Sequence, residues 1–200
     1  MVRRFFLKPY FSGVGSMENK SIGRQIEKAI ASDNWPRARS LIRAELRREP
    51  DNHLLLTCLG LTYYEQRQYK RALFYSEKAL ALSPRCPLVL WNYAGCLDML
   101  ERTTEALRIY RSLLRQGIER LAYGQCGEGK AWARGLVADC YYRIACIEKE
   151  LGRFGDAKRA YLRHLSLRGP GCRSIYPIRD VRTEFQSLDT QIRQIRKRKR

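Results

Sequence analysis

The sequence contains little of what catalysis or metal binding usually requires. It has only two histidines, His53 and His164, which lie far apart in the chain and complete no Ser-His-Asp grouping. Its seven cysteines are an odd number with no C-x-x-C pair, so their spacing matches neither a zinc site nor a disulfide framework. We therefore expect no enzyme, no metal, no cofactor, and reduced cysteines in a cytoplasmic protein.

Long apolar runs and negative charge are also scarce. No uninterrupted run approaches the roughly 20 apolar residues of a membrane-spanning helix, so we expect no membrane span. Lysine and arginine total 39 against 20 aspartate and glutamate, which gives a net charge of +19. Such an excess attracts acidic proteins, nucleic acids or anionic surfaces over long distances, but it does not distinguish among them.

Small and aromatic residues, by contrast, recur in a regular order. Alanines at positions 38, 72 and 106 are 34 residues apart. The clearest copy of the pattern contains Leu56, Leu59, Gly60 and Tyr63 on one helical face, and then Tyr69, Ala72, Ala79 and Pro84. A further copy, displaced by an insertion, contains Ala145, Gly152, Phe154, Ala157 and Tyr161. The small residues let two helices approach closely, and the proline ends the second helix.

This order resembles the tetratricopeptide repeat, in which a Leu-Gly pair and a tyrosine precede a buried alanine and a closing proline. The resemblance implies an all-α fold, a right-handed superhelical solenoid of about four antiparallel helix pairs spanning residues 21–170. Residues 1–20 are predicted to be a basic leader without stable structure. Residues 119–133, rich in glycine, are predicted to form a loop inserted between the third and fourth repeats.

Residues 171–200 are predicted to comprise a linker, an amphipathic capping helix and a basic tail. Apolar residues from Val181 to Ile195 recur at steps of three and four, which predicts a helix. Capping of the last repeat is favoured over a short coiled-coil dimer. The tail is a candidate for contact with an acidic protein or nucleic acid, through Arg193, Arg196, Lys197, Arg198, Lys199 and Arg200.

In the repeat family, the first helix of each pair lines a groove that binds a peptide or helix of another protein. The resemblance therefore implies a non-enzymatic adaptor or scaffold; the alternative is a basic protein that binds the RNA or DNA backbone. The groove positions correspond to Leu54, Thr57, Leu61 and Tyr64, then Leu88, Trp91, Gly95 and Asp98, and finally Asp139, Tyr142, Cys146 and Lys149. The same side chains could instead pack as ordinary core, and the sequence leaves that choice open.

One local motif points elsewhere. Residues 124–130, GQCGEGK, match the G-x4-G-K start of a phosphate-binding loop. That loop requires a preceding strand and a following Ser or Thr, whereas this chain has a helical pattern upstream and Ala131 after the lysine. We therefore expect no nucleotide hydrolysis. The Lys and Asn pattern of repeats that grip a terminal carboxylate is also missing at the matching positions, including Gly23 and Glu27.

Overall fold

The computed structural model describes the backbone of residues 17–198, and the side chains of that range except at 17–20, 196 and 198. The predicted leader, residues 1–16, and the last two residues of the basic tail therefore lie outside the described residues. The helices are α1 (Met17–Ala31), α2 (Trp35–Arg48), α3 (His53–Glu65), α4 (Tyr69–Leu82), α5 (Pro87–Met99), α6 (Thr103–Gln116), α7 (Ile118–Tyr123), α8 (Lys130–Glu150), α9 (Phe154–Leu167) and α10 (Ile178–Arg198). No strand occurs between residues 17 and 198, which confirms the all-α prediction.

Residues 17–109 form one compact unit, and residues 110–198 form another. In the first unit, α1 packs on α2 and α3 packs on α4, and α3 and α4 both contact α5. The second unit pairs α7 with α8, α8 with α9, and α9 with α10. The predicted pairs α1–α2, α3–α4 and α8–α9 are therefore present.

Small residues sit where the helices approach most closely. Ala38, Ala72, Ala106 and Ala157 have no exposed surface. A Cβ added at Gly60 of α3 would lie 3.2 Å from the carbonyl oxygen of Ala72 on α4. The period of the sequence therefore marks the contacts at which a larger side chain would force helices apart.

The turn inside each helix pair reverses the chain with one residue in the left-handed region. Asp33, Arg67, Glu101 and Gly152 have φ values of 56°, 58°, 61° and 72°. These residues occupy the same position of successive repeats, and only the last is a glycine. The other three hold a conformation that costs an L-residue about 1–2 kcal/mol. The turn geometry is thus kept even where the sequence lacks the expected glycine.

Two boundaries differ from the sequence-based expectations. Helix α1 begins at Met17, within the predicted leader, rather than near Ser21. The predicted inserted loop contains the short helix α7, and only residues 124–129 between α7 and α8 are non-helical. Helix α7 forms because Leu121 and Ala122 are buried, which gives the insertion a small apolar core of its own.

Candidate functional site

Three of the predicted groove residues in the first unit are buried. Thr57 and Leu88 are 0% and 1% exposed, and Trp91 is 9% exposed. The hydroxyl of Thr57 donates a hydrogen bond to the carbonyl oxygen of His53, 2.7 Å away. These side chains present almost no surface to a partner, so the packing interpretation suits them better.

The other predicted residues of this unit keep part of their surface exposed. Leu54, Leu61 and Tyr64 on α3 are half-buried, as is Asp98 on α5. The Tyr64 ring lies beside Gly95 of α5, where an added Cβ would be 3.7 Å from the ring, and it meets the Tyr69 ring edge-on at 5.4 Å. Because residue 95 has no side chain, the ring packs close to the backbone of α5, and Tyr64 stays half-buried.

In the second unit, the predicted residues on α8 contact the chain's own C-terminal segment. Asp139 is fully buried, and its carboxylate accepts hydrogen bonds from the Ser174 hydroxyl at 2.5 Å and the Ile175 amide at 3.1 Å. Burial raises the pKa of Asp139 to about 7, against the lowering effect of these two bonds and of Arg168. Asp139 therefore holds the extended segment after α9 against α8.

Two further residues along α8 continue this contact. The Tyr142 ring stacks on Tyr176 with the ring centroids 3.9 Å apart. The Lys149 ammonium pairs with Glu184 of α10 at 2.7 Å. The segment from Ser174 to Glu184 thus lies on the face of α8 that the repeat pattern assigns to a ligand.

The repeat pattern does not single out Gly135, the residue that allows this segment to lie against α8. At Gly135 of α8, an added Cβ would lie 1.9 Å from the carbonyl oxygen of Arg173, so only glycine permits the contact. The Arg173 amide in turn donates to the carbonyl oxygen of Ala131. A glycine inside a long helix was the available signal, because it lowers helix stability and often marks a close approach of another backbone segment.

Comparisons with known proteins agree with the helix pairs. Models of the tetratricopeptide repeat match residues 27–77, 63–123 and 138–169, together well over half of the chain. The chain belongs to the tetratricopeptide repeat family. Repeats of this family generally act as non-enzymatic scaffolds for protein–protein interaction.

Solved structures give the same fold. Two crystal structures of the MamA protein are each 16% identical to this repeat protein. One has a TM-score of 0.58, with 85% of this chain and 87% of that chain covered; the other has a TM-score of 0.56, with 86% and 96% covered. This likeness supports the fold alone. No curated protein matches the sequence.

The glycine-rich insertion of this repeat protein does not form a phosphate-binding loop. The amide of Gly127 donates to the carbonyl oxygen of Gly124, and the amide of Gly129 donates to that of Ala122. The Lys130 ammonium pairs with Glu119, 2.7 Å away. The donors that would cradle a phosphate are therefore used within the insertion.

The basic tail is part of α10 as far as Arg198. Arg193 pairs with Asp189 at 2.8 Å, and Lys197 is exposed. The side chains of Arg196 and Arg198, and all of Lys199 and Arg200, lie outside the described residues. Within residues 17–198, none of the helices has the length and apolar character needed to cross a bilayer.

Proposed function

We propose that residues 17–109 bind a peptide or helix of a partner protein through the surface that α3 and α5 share around Tyr64. The observation that carries this proposal is the half-buried Tyr64 ring beside Gly95. A tyrosine fixed in this way offers a large apolar area and loses little conformational freedom on binding. Leu61 lies three residues before Tyr64, and therefore on the same face of α3, where it extends the apolar part of this surface.

The proposed partner segment is apolar where it meets α3 and polar toward α5. Half-buried leucines on α3 favour aliphatic side chains, whereas the half-buried Asp98 makes the α5 side of the surface polar. Thr57, Leu88 and Trp91 are buried and take no direct part in this surface. An amphipathic helix or an extended segment with alternating side chains satisfies both requirements.

The test uses the partner that the wild-type protein captures from native lysate, once that partner is identified and purified. We expect Tyr64→Ala to weaken direct binding about tenfold or more, as truncation of an aromatic anchor commonly does. Phe74→Ala is the matched control, because Phe74 is an exposed aromatic residue of the same unit on the outer side of a second helix, α4. Equal effects of the two substitutions would contradict the proposal.

Salt dependence separates this surface from the nucleic-acid alternative. Binding to an apolar surface survives moderate salt. The affinity of the basic tail for nucleic acid falls steeply with added salt, because cations compete with the tail for the phosphates. We expect the captured partner to stay bound at high ionic strength and after removal of residues 193–200. Loss of binding under both conditions, with no effect of Tyr64→Ala, would favour the alternative.

A further inference from the structure

Equivalent arginines in the two units bind different groups. Arg43 of α2 and Arg111 of α6 each follow a buried alanine of the repeat pattern by five residues. Arg43 donates to the hydroxyl of Tyr63 over 2.7 Å, and Arg111 donates to the carboxylate of Glu148 over 2.6 Å. The acceptors are equivalent too, because Tyr63 follows Gly60 by three residues and Glu148 follows Ala145 by three.

In the second unit, the acceptor is a carboxylate that two arginines share. Glu148 is 1% exposed, and both of its oxygens accept charged donors, Arg111 at 2.6 Å and Arg153 at 3.4 Å. Two guanidinium groups therefore converge on one buried negative charge. Each of these two arginines therefore has a carboxylate partner within the chain.

In the first unit, three guanidinium groups converge on a neutral ring. Besides Arg43 at the hydroxyl, Arg39 lies 4.9 Å and Arg71 lies 5.8 Å from the centre of the Tyr63 ring. Among the residues whose side chains the structure describes, 21–195 and 197, none of the three has a carboxylate within ion-pair distance.

Neutral groups hold these arginines in place. Arg39 donates to the side-chain oxygen of Gln66 at 2.6 Å, and Arg71 donates to that of Gln68 at 2.9 Å. The Tyr63 ring is itself stacked on Tyr75, with its centroid 5.5 Å away. The guanidinium groups are thus ordered before any anion arrives, which reduces the entropy lost on binding.

Positive charges that are held close together without a counter-ion repel one another. Binding of an anion among them therefore lowers the free energy. Guanidinium groups match carboxylates and phosphates in shape and can bind them with two parallel hydrogen bonds. Arg67 lies on the turn before α4, and Lys70 lies in its first turn. Together with Arg71 they line a shallow depression and increase the positive potential there. The missing element in this unit is a single oxyanion, the equivalent of the Glu148 carboxylate.

We propose that Arg39, Arg43 and Arg71 bind an oxyanion, a carboxylate or a phosphate, carried by a peptide segment of a partner protein. A peptide is favoured over nucleic acid because the cluster is compact, and because its aromatic ring is covered by Tyr75 and cannot stack on a base. The site goes beyond the surface around Tyr64, since two of its arginines lie on α2 and the third on α4.

The test measures fluorescence anisotropy of three labelled probes with the full-length protein at about 0.15 M salt, where the screening length is about 8 Å. The probes are an octaglutamate peptide, a Gly-Ser peptide with one phosphoserine, and an oligothymidylate. A triple Arg39→Gln, Arg43→Gln, Arg71→Gln variant is compared with a triple Arg24→Gln, Arg37→Gln, Arg85→Gln control. The control removes the same charge from exposed arginines of the same unit.

We expect the first triple variant to bind at least one peptide about tenfold more weakly than the control does. The glutamate and phosphoserine probes show which oxyanion the site prefers. Tyr63→Glu should also weaken peptide binding, because the new glutamate supplies a carboxylate from within the chain. Tyr63→Phe should retain peptide binding. Thermal melts show whether each variant is folded. Equal loss in the two triple variants, no peptide binding by the wild type, or tighter arginine-dependent binding of the oligothymidylate would each overturn the proposal.

Discussion

Two equivalent helices, α3 in the first unit and α8 in the second, each begin a repeat. They present the same repeat positions to different neighbours. On α3 of the first unit, Leu61 and Tyr64 keep part of their surface exposed. On α8 of the second unit, Asp139, Tyr142 and Lys149 contact residues 174–184 of the chain itself. A repeat pattern therefore defines which positions can bind a segment, whereas the rest of the chain decides whether they are occupied.

The most severe test of this contrast is Gly135→Ala. The new methyl group would collide with the Arg173 carbonyl, so the segment after α9 must leave α8. We expect a loss of about 3 kcal/mol in the free energy of unfolding, at the upper end for overpacking. Chemical denaturation measures this loss, and amide hydrogen exchange should show reduced protection of residues 173–176.

Gly155→Ala is the matched control for this substitution. Gly155 also lies in a helix, α9, but an added Cβ would meet only the end of the Arg159 side chain at 3.8 Å. Alanine favours a helix over glycine by up to about 1 kcal/mol, so this variant should be neutral or more stable. Unchanged exchange of residues 173–176 in Gly135→Ala would contradict the proposed fit between α8 and the segment.

A second prediction concerns pH. Because the folded-state pKa of Asp139 is about 7, against 3.8 for an ordinary aspartate, the folded protein keeps a proton that the unfolded chain has lost. Stability from this group is greatest below about pH 4 and falls as the pH rises to about 7. Between about pH 5 and pH 8 we expect a loss on the order of 2 kcal/mol.

Asp139→Asn tests the assignment of that slope. An asparagine fits the same space, and its side-chain oxygen can still accept the Ile175 amide, but it does not titrate. Urea denaturation at several pH values should therefore show a flatter decline than in the wild type. Some slope remains, since burial also raises the pKa of Glu128 to about 7. An unchanged slope would show that Asp139 ionises normally in the fold.

The sequence was sufficient to predict the helix pairs because their contacts repeat. The alanines at 38, 72 and 106 are buried with no exposed surface, as the period of 34 required. A contact that occurs only once leaves no periodic pattern in the sequence, so it cannot be predicted from the repeat. The carboxylate of Asp139 and the glycine at 135 gain their meaning only from residues 173–175, which lie more than 30 positions away and match no repeat. The burial of Trp91 likewise depends on neighbouring helices that periodicity does not describe.

The smallest expected effect comes from the ion pair that joins α8 to α10. Lys149 and Glu184 are 34% and 44% exposed, so water screens their attraction and the pair should contribute only about 0.2–1 kcal/mol. Lys149→Glu or Glu184→Lys alone should lower the free energy of unfolding slightly, and the double exchange should restore it. Coupling in this double-mutant cycle should weaken with added salt. A coupling well above 1 kcal/mol would mean that the pair fixes α10 in place; the expected small value assigns that role to the buried residues Val181 and Leu188.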